Sequence, residues 1–276
     1  MIGRLRTIQA GGRVLSGWKA ALRVVEGLWT WYRRSWRATV VSSLLQPLLM
    51  LVAFGVGFGS LIDTSARAAQ ATGGVPYLMY LAPALLAVSA VQTAAFESSY
   101  PILSSFKWRR TYEGITATPI TPGQLAGGQL TWIALRLTSS GAVYLLVITL
   151  FGAVRGPGVL AALVCAVLCG MAFSAPLVAF SAAQEQEGGA FTAIFRFVVL
   201  PMTLFSGTFF PISQLPPVVQ PLAWISPLWH GTELARGAAL GTWQLTSAAG
   251  HLAYLMAMLV VGVHLARWQF RVRLSR

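Results

Sequence analysis

Charge is scarce along this sequence: Asp, Glu, Lys and Arg make up 10% of its 276 residues, against roughly 25% in an average soluble domain. Most of the chain therefore has no means of facing water, and a sizeable soluble domain is excluded. Acids are few. The seven present, Glu26, Asp63, Glu97, Glu113, Glu185, Glu187 and Glu233, fall in loops or near the ends of apolar runs, whereas ion-coupled transport usually places carboxylates inside them. Secondary transport is weakened on that ground. Lysine occurs only as Lys19, after Trp18, and Lys107, after Phe106. No Gly-Lys followed by Ser or Thr is present to form a phosphate-cradling P-loop, so the chain carries no nucleotide motor of that kind.

Metal-ligating and nucleophilic groups are equally thin. His230, His251 and His264 are dispersed, whereas metal catalysis wants His, Cys, Asp or Glu in clusters, and only His230 has an acid, Glu233, at helical spacing. A Ser-His-acid set can be assembled only by assuming a fold, which disfavours an enzyme acting by itself; no metal and no cofactor are expected in this chain. Cys165 and Cys169 lie one helical turn apart in an apolar run and read as small packing residues ahead of a metal or redox pair. There is no internal repeat and no low-complexity tail, so residues 1–276 read as one domain. No cleavable signal peptide is expected, because the first 37 residues are basic and amphipathic without an early apolar core.

What the chain has is apolar length. Hydrophobic residues reach 56% and mean hydropathy is +0.67, and a span needs about 20 such residues to cross roughly 30 Å of hydrocarbon. Six runs qualify, at about 39–60, 77–95, 129–152, 159–182, 190–211 and 250–268. The fold class is therefore all-α: a polytopic membrane protein with six transmembrane helices. The net charge of +13 follows this topology rather than forming a nucleic-acid patch. Arg4, Arg6, Arg13, Lys19, Arg23, Arg33, Arg34 and Arg37, then Lys107, Arg109 and Arg110, then Arg267, Arg271, Arg273 and Arg276 fall on one side, against Arg67, Arg155 and Arg236 on the other. By the positive-inside rule both termini are cytoplasmic and the protein is multi-pass in the cell's inner membrane.

Ahead of the first run, Trp18, Leu22, Val25, Trp29, Tyr32 and Trp36 recur at alternating spacings of 4 and 3, which keeps them on one helical face. Lys19, Arg23, Glu26, Arg33, Arg34 and Arg37 fall together on a flank of the same helix. The pattern describes a helix lying among lipid headgroups, aromatic side down and cations toward anionic lipid, with a solvated basic tail as the plainer alternative.

The longest inner loop, 97–129, contains a segment from Phe106 to Thr118 that reads as one short helix, with Arg109 and Glu113 paired at i, i+4 and Pro119 and Pro122 as its stop. A charged helix there is something a soluble motor can push; the plainer alternative is a loop whose cations only set orientation. Within the spans, Arg136 and Arg196 are expected to snorkel to the inner interface. Pairing of Arg196 with Glu185 or Glu187, and a path-lining role for either arginine, stay open.

The stretch Pro201–Gly237 is apolar but carries six prolines, and proline removes a donor and clashes with the preceding turn. Broken backbone survives at membrane depth only against protein or a wet cavity. Two half-helices, Ile212–Trp224 and Pro227–Leu240, are expected to re-enter from the outer surface between the fifth and sixth runs. His230 and Arg236 would then hold them through carbonyls or Glu233, with Trp224, Trp229 and Trp243 as interface anchors.

Pro227-Leu228-Trp229-His230 followed by Arg236, the Ser-Gly-Thr-Phe-Phe-Pro of 206–211 upstream, six spans, an amphipathic start and a basic loop after the second span together resemble membrane subunits of type-2 ABC exporters. The similarity is to the group of nodulation-factor, daunorubicin-type and O-antigen exporters. It implies a permease that pairs with itself or a sister subunit and binds two separate ABC ATPase subunits, which would hold ATP and Mg. It implies an ATPase-coupling helix bearing Phe106, Lys107, Arg109, Arg110, Tyr112 and Glu113, and an exit-gate segment bearing Gly207, Pro211, Pro227, His230, Glu233 and Arg236. Trp18, Trp29 and Trp36 belong to the interfacial helix. The implied cargo is amphiphilic: a drug, a lipid or a lipid-linked glycan. An ATP-independent channel or scramblase, a secondary transporter and a pure assembly subunit remain open.

Overall fold

The computed structural model describes residues 15–34, 45, 48–59, 72, 74–153, 156–185 and 189–275. Trp36, Glu187 and residues 39–44, 46, 47 and 60 of the 39–60 run lie outside these. The described elements are helical: α1 (Gly17–Tyr32), α2 (Leu51–Phe58, wound with the wider π spacing), α3 (Tyr77–Glu97), α4 (Tyr100–Lys107), α5 (Thr111–Thr116), α6 (Pro122–Leu150), α7 (Gly158–Ala183), α8 (Ala190–Phe205), α9 (Gln220–Ile225), α10 (Pro227–Leu240) and α11 (Leu245–Leu274). Four stretches are long and apolar enough to cross a membrane: Tyr77–Lys107, α6, α7 and α11, with α8 a shorter apolar helix.

Helix α7 is the hub, packed by α3, α6, α10 and α11. Its sequence explains why: Ala162, Cys165, Ala166, Cys169, Gly170, Ala172, Ser174, Ala175, Ala179 and Ala182 are small and buried, and small side chains let helices approach closely where lipid removes the hydrophobic drive to associate. The approach is tightest where a glycine faces the hub. A Cβ on Gly262 of α11 would stand 2.5 Å from the ring of Pro176 and 2.6 Å from its backbone nitrogen. Outward, α11 shows Leu252, Met256, Val260, Leu265 and Trp268, a surface suited to lipid or to another apolar chain.

Helix α1 docks on α6. Ala20 and Val24 are its buried residues, Val24 fills the space left by Gly128, and Gln124 Nε2 donates to the Leu15 carbonyl at 2.7 Å. The stripe of Trp18, Leu22 and Trp29 is left exposed, free to face lipid.

Several expected boundaries move, each for a local reason. Pro122 starts α6 instead of stopping the preceding helix: Thr121 and Gln124 form a reciprocal capping box, and proline sits in the first turn, where no donor is needed. The segment 106–118 is not one helix. Arg110 adopts left-handed φ/ψ of 47° and 28°, turning α4 into α5, so Arg109 and Glu113 do not meet; Arg109 lies 5.1 Å over the Trp31 ring. The 190–211 run ends at Phe205, because Gly207 has φ +73°. Of the expected half-helix 212–224, only the Ile212–Gln214 turn and α9 are helical, its prolines forbidding more.

Replacing Gly262 by leucine should drive α11 off α7, since the obstruction is a proline ring and backbone that cannot rotate aside. A cost of about 1–3 kcal/mol should appear as a lower thermal unfolding midpoint in detergent, with no such loss for Gly250→Leu, where a Cβ meets nothing within 4 Å.

Candidate functional site

Two clusters gather the residues singled out above. The first is the corner formed by α4 and α5. Its inner side is aromatic: Phe106 and Tyr112 pack edge to face at 4.7 Å, and both contact Phe270 of α11, at 4.9 and 5.4 Å. Arg273 caps Phe106 at 4.3 Å while donating at 2.7 Å to the carbonyls of Ala182 and Gln184 at the end of α7. The Tyr112 hydroxyl, kept protonated by burial that raises its pKa well above the ordinary phenol value, donates to Gln129 Oε1 of α6 at 3.1 Å. Outward, Trp108, Arg109, Arg110 and Glu113 are exposed and Lys107 is partly so. The corner is thus bolted to α6, α7 and α11 and presents charge and one indole to the outside.

The second cluster lies at the opposite end of α7 and α11, built on α10. Ser206 and Ser226 share a 2.6 Å hydrogen bond across the loop, and Thr232 donates to the Ser206 carbonyl at 3.3 Å. Gly207 is the turn residue: its positive φ costs an L side chain about 1–2 kcal/mol, and a Cβ there would meet Ile212 at 3.2 Å. Arg236 is buried and reaches three ways. Nη2 donates to the Gly207 carbonyl at 2.9 Å, Nε to the Tyr80 carbonyl of α3 at 3.3 Å, and Nη1 to Glu233 Oε1 at 2.8 Å, with the guanidinium 3.8 Å over the Tyr80 ring. Tyr77 donates to the Phe209 carbonyl at 3.0 Å.

His230 completes the set. Its Nε2 faces the Trp224 carbonyl at 2.9 Å and its Nδ1 faces His251 Nδ1 at 2.7 Å. A carbonyl only accepts, so the proton belongs on Nε2 of His230, and His251 is the Nδ1 donor. The His230 ring stacks on Tyr254 at 4.0 Å, whose hydroxyl donates to the Ile225 carbonyl. Burial chiefly lowers the His230 pKa, favouring this neutral arrangement. Pro227 opens α10, its carbonyl accepting from Cys169 at 3.3 Å, and Pro211 opens the 212–214 turn. Beside the cluster is an open cavity of about 260 Å³ lined by Glu233, Arg236, Trp243, Gln244, Ser247 and His251.

The structure therefore brings Gly207, His230, Glu233 and Arg236 together and links them to Tyr77, Tyr80, His251 and Tyr254, which sequence reasoning did not assign. Trp243 is half exposed but its indole donates to the Leu234 carbonyl at 2.9 Å. Arg136 does not snorkel. It is 5% exposed and bonded to Glu97 at 3.0 Å, under the Tyr32 ring at 4.3 Å, because a carboxylate at the foot of α3 supplies its partner within the protein. Arg196 is exposed on α8. Among the described residues, no group of three or more His, Cys, Asp and Glu side chains is placed to hold a metal ion.

Four long apolar helices, α7 and those packed around it, define a multi-pass helical membrane protein. The chain belongs to the ABC-2 type transporter family, which it matches over residues 23–240, and is thereby a membrane subunit whose expected partner is an ABC ATPase. It is 28% identical over 271 residues to nodulation protein J of Rhizobium leguminosarum bv. viciae, covering 98% of each chain. To nodulation protein J of Sinorhizobium fredii (strain NBRC 101917 / NGR234) it is 31% identical over 223 residues, 77% of this chain and 82% of the other. With nodulation protein J of Rhizobium meliloti (strain 1021) it shares 29% over 257 residues, 89% and 94% of the two chains.

Arg236→Gln should leave the Gly207 or Tyr80 carbonyl without its donor, at roughly 1–3 kcal/mol for each buried group orphaned. The expected result is a lower unfolding midpoint and faster proteolysis within 206–226, while Glu233→Gln, at a half-exposed position, has a smaller effect.

Proposed function

We propose that the chain is the transmembrane permease subunit of an ATP-driven exporter moving an amphiphilic substrate, such as a drug, a lipid or a lipid-linked glycan, out of the cytoplasm or the inner leaflet. The observation that carries this reading is the α4–α5 corner: anchored to three long helices, charged on its outer side, and set in an ABC-2 type chain with no P-loop of its own.

In this reading residues 1–276 form one transmembrane domain with six spans. The first includes α2, the fifth is α8, and the others are α3, α6, α7 and α11; α9 and α10 re-enter from the outer face of the inner membrane and both termini are cytoplasmic. Two permease chains, identical or sister, sit on two ATPase subunits that hold ATP and Mg. Closure of the ATPases presses on Lys107, Arg109, Arg110 and Glu113, and Phe106 and Tyr112 pass the displacement inward. The two halves rock to open the path outward, beneath the segment held by His230 and Arg236. The exposed Trp18 and Trp29 face of α1 rests in lipid headgroups, beside Lys19 and Arg23.

Replacing residues 107–113 with a Gly-Ser linker should abolish ATP-dependent export or ATPase assembly; wild-type levels of both would refute the coupling role. A cysteine at Gln214 should react with an impermeant thiol reagent added outside intact cells. Labelling only from inside would overturn the topology, and transport without nucleotide would identify a channel or scramblase.

A further inference from the structure

Two polar ties reach one face of α6 from the two ends of the excursion that leaves the bundle at the foot of α3. At the near end, Glu97 is the last residue of α3 and bonds Arg136. At the far end, Tyr112 of α5 bonds Gln129. Gln129 and Arg136 are seven residues apart, so they share a face of α6 and stand about 10 Å apart along it. Both are buried, Gln129 to 3% exposure.

Between the ties the chain is jointed. Immediately after Glu97, Ser99 leaves helical geometry, with φ −102° and ψ −104°. The joint is held by side chains: Ser181 donates to the Ser98 carbonyl at 2.6 Å, and the Ser98 and Ser174 hydroxyls meet at 2.7 Å. The second joint is the left-handed Arg110. An apolar contact is non-directional and tolerates sliding, whereas a hydrogen bond has a preferred length and direction. Force on the exposed corner therefore reaches α6 most directly through Gln129, with Arg136 fixing the pivot.

Resting on the reading of the chain as an ATP-driven permease, we propose that Gln129 and Arg136 make α6 the strut that receives corner movement, with Glu97 and Tyr112 as their positioning partners. Helix α1 is carried with it, since Tyr32 lies over Arg136 and packs on Trp132 at 5.6 Å.

The test uses the full chain assembled with its ATPase subunit in nanodiscs of phosphatidylethanolamine and phosphatidylglycerol, where ATP and reagent reach opposite faces of one complex. ATP hydrolysis is measured together with the labelling rate of a cysteine at Gln214 by an impermeant maleimide, with and without ATP and vanadate. Cys165 and Cys169 are buried and do not compete. In the otherwise wild-type complex, nucleotide should change the labelling rate by about fivefold or more. In Gln129→Leu and in the double variant Glu97→Leu/Arg136→Met, which removes both charges and the hydrogen bond together, hydrolysis should stay within about twofold and the nucleotide response should disappear. Arg136→Lys should retain most of the response. Variants that respond like the parent overturn the proposal, as do variants that lose assembly and hydrolysis together, which indicates a purely structural tie. A parent complex that does not hydrolyse ATP refutes the functional reading itself and is recognised before any variant is made.

Discussion

One guanidinium holds the broken backbone together. A carbonyl freed by proline or by a chain reversal has no water to turn to in hydrocarbon, so irregular chain persists only where other parts of the protein supply donors. Arg236 supplies two, to Gly207 and to Tyr80, and thereby ties the loop after α8 and the start of α3 to α10. Tyr77, His230, Tyr254 and Cys169 serve four more carbonyls, at Phe209, Trp224, Ile225 and Pro227. The most irregular part of the chain is thus densely cross-linked. Burying the arginine charge is tolerable because Glu233 and the Tyr80 ring stand against it, which offsets desolvation that neither contact would cover alone.

That arrangement depends on close packing one layer further in. Arg236 reaches α3 only because α10 lies hard against α7, where a Cβ on Gly231 would stand 2.3 Å from Cys169 Sγ. The same seam of small residues brings α11 onto Pro176, which sets Phe270 and Arg273 at the α4–α5 corner. Both functional clusters are therefore positioned by a helix that contributes little polar chemistry of its own. Its role is to be thin.

This division explains what the sequence disclosed. Four long helices were legible because hydropathy over about 20 residues is a summed signal that local effects rarely overturn. The charged corner and the proline-rich segment were both legible as places, from a charge cluster and from proline count. Their internal geometry was not. The left-handed Arg110 is a single backbone state at a residue type that rarely adopts it, and nothing in the run around it announces the turn. Pro122 was read as a stop because its meaning depends on the reciprocal cap of Thr121 and Gln124. His251 and Tyr254 were missed because they lie on α11, brought to His230 by tertiary packing alone; the signal available was these two side chains at i, i+3 among apolar neighbours. Arg136 was misread for a related reason, since its partner is 39 residues away and spacing rules apply only within one helix.

The two ends of the long helices hold their charges differently. At the α10 end the partners of Arg236 include backbone carbonyls, and releasing them strands acceptors that no side-chain rotation can carry to water. At the α4–α5 end the Glu97–Arg136 tie joins two side chains, so it fixes the spacing of α3 and α6 without drawing on a backbone acceptor. The serine joint at 98–99 has the same character, being held in part by hydroxyls that can exchange partners by rotation. A protein built this way anchors its broken backbone through carbonyl acceptors, and joins the foot of α3 to α6 through side chains alone.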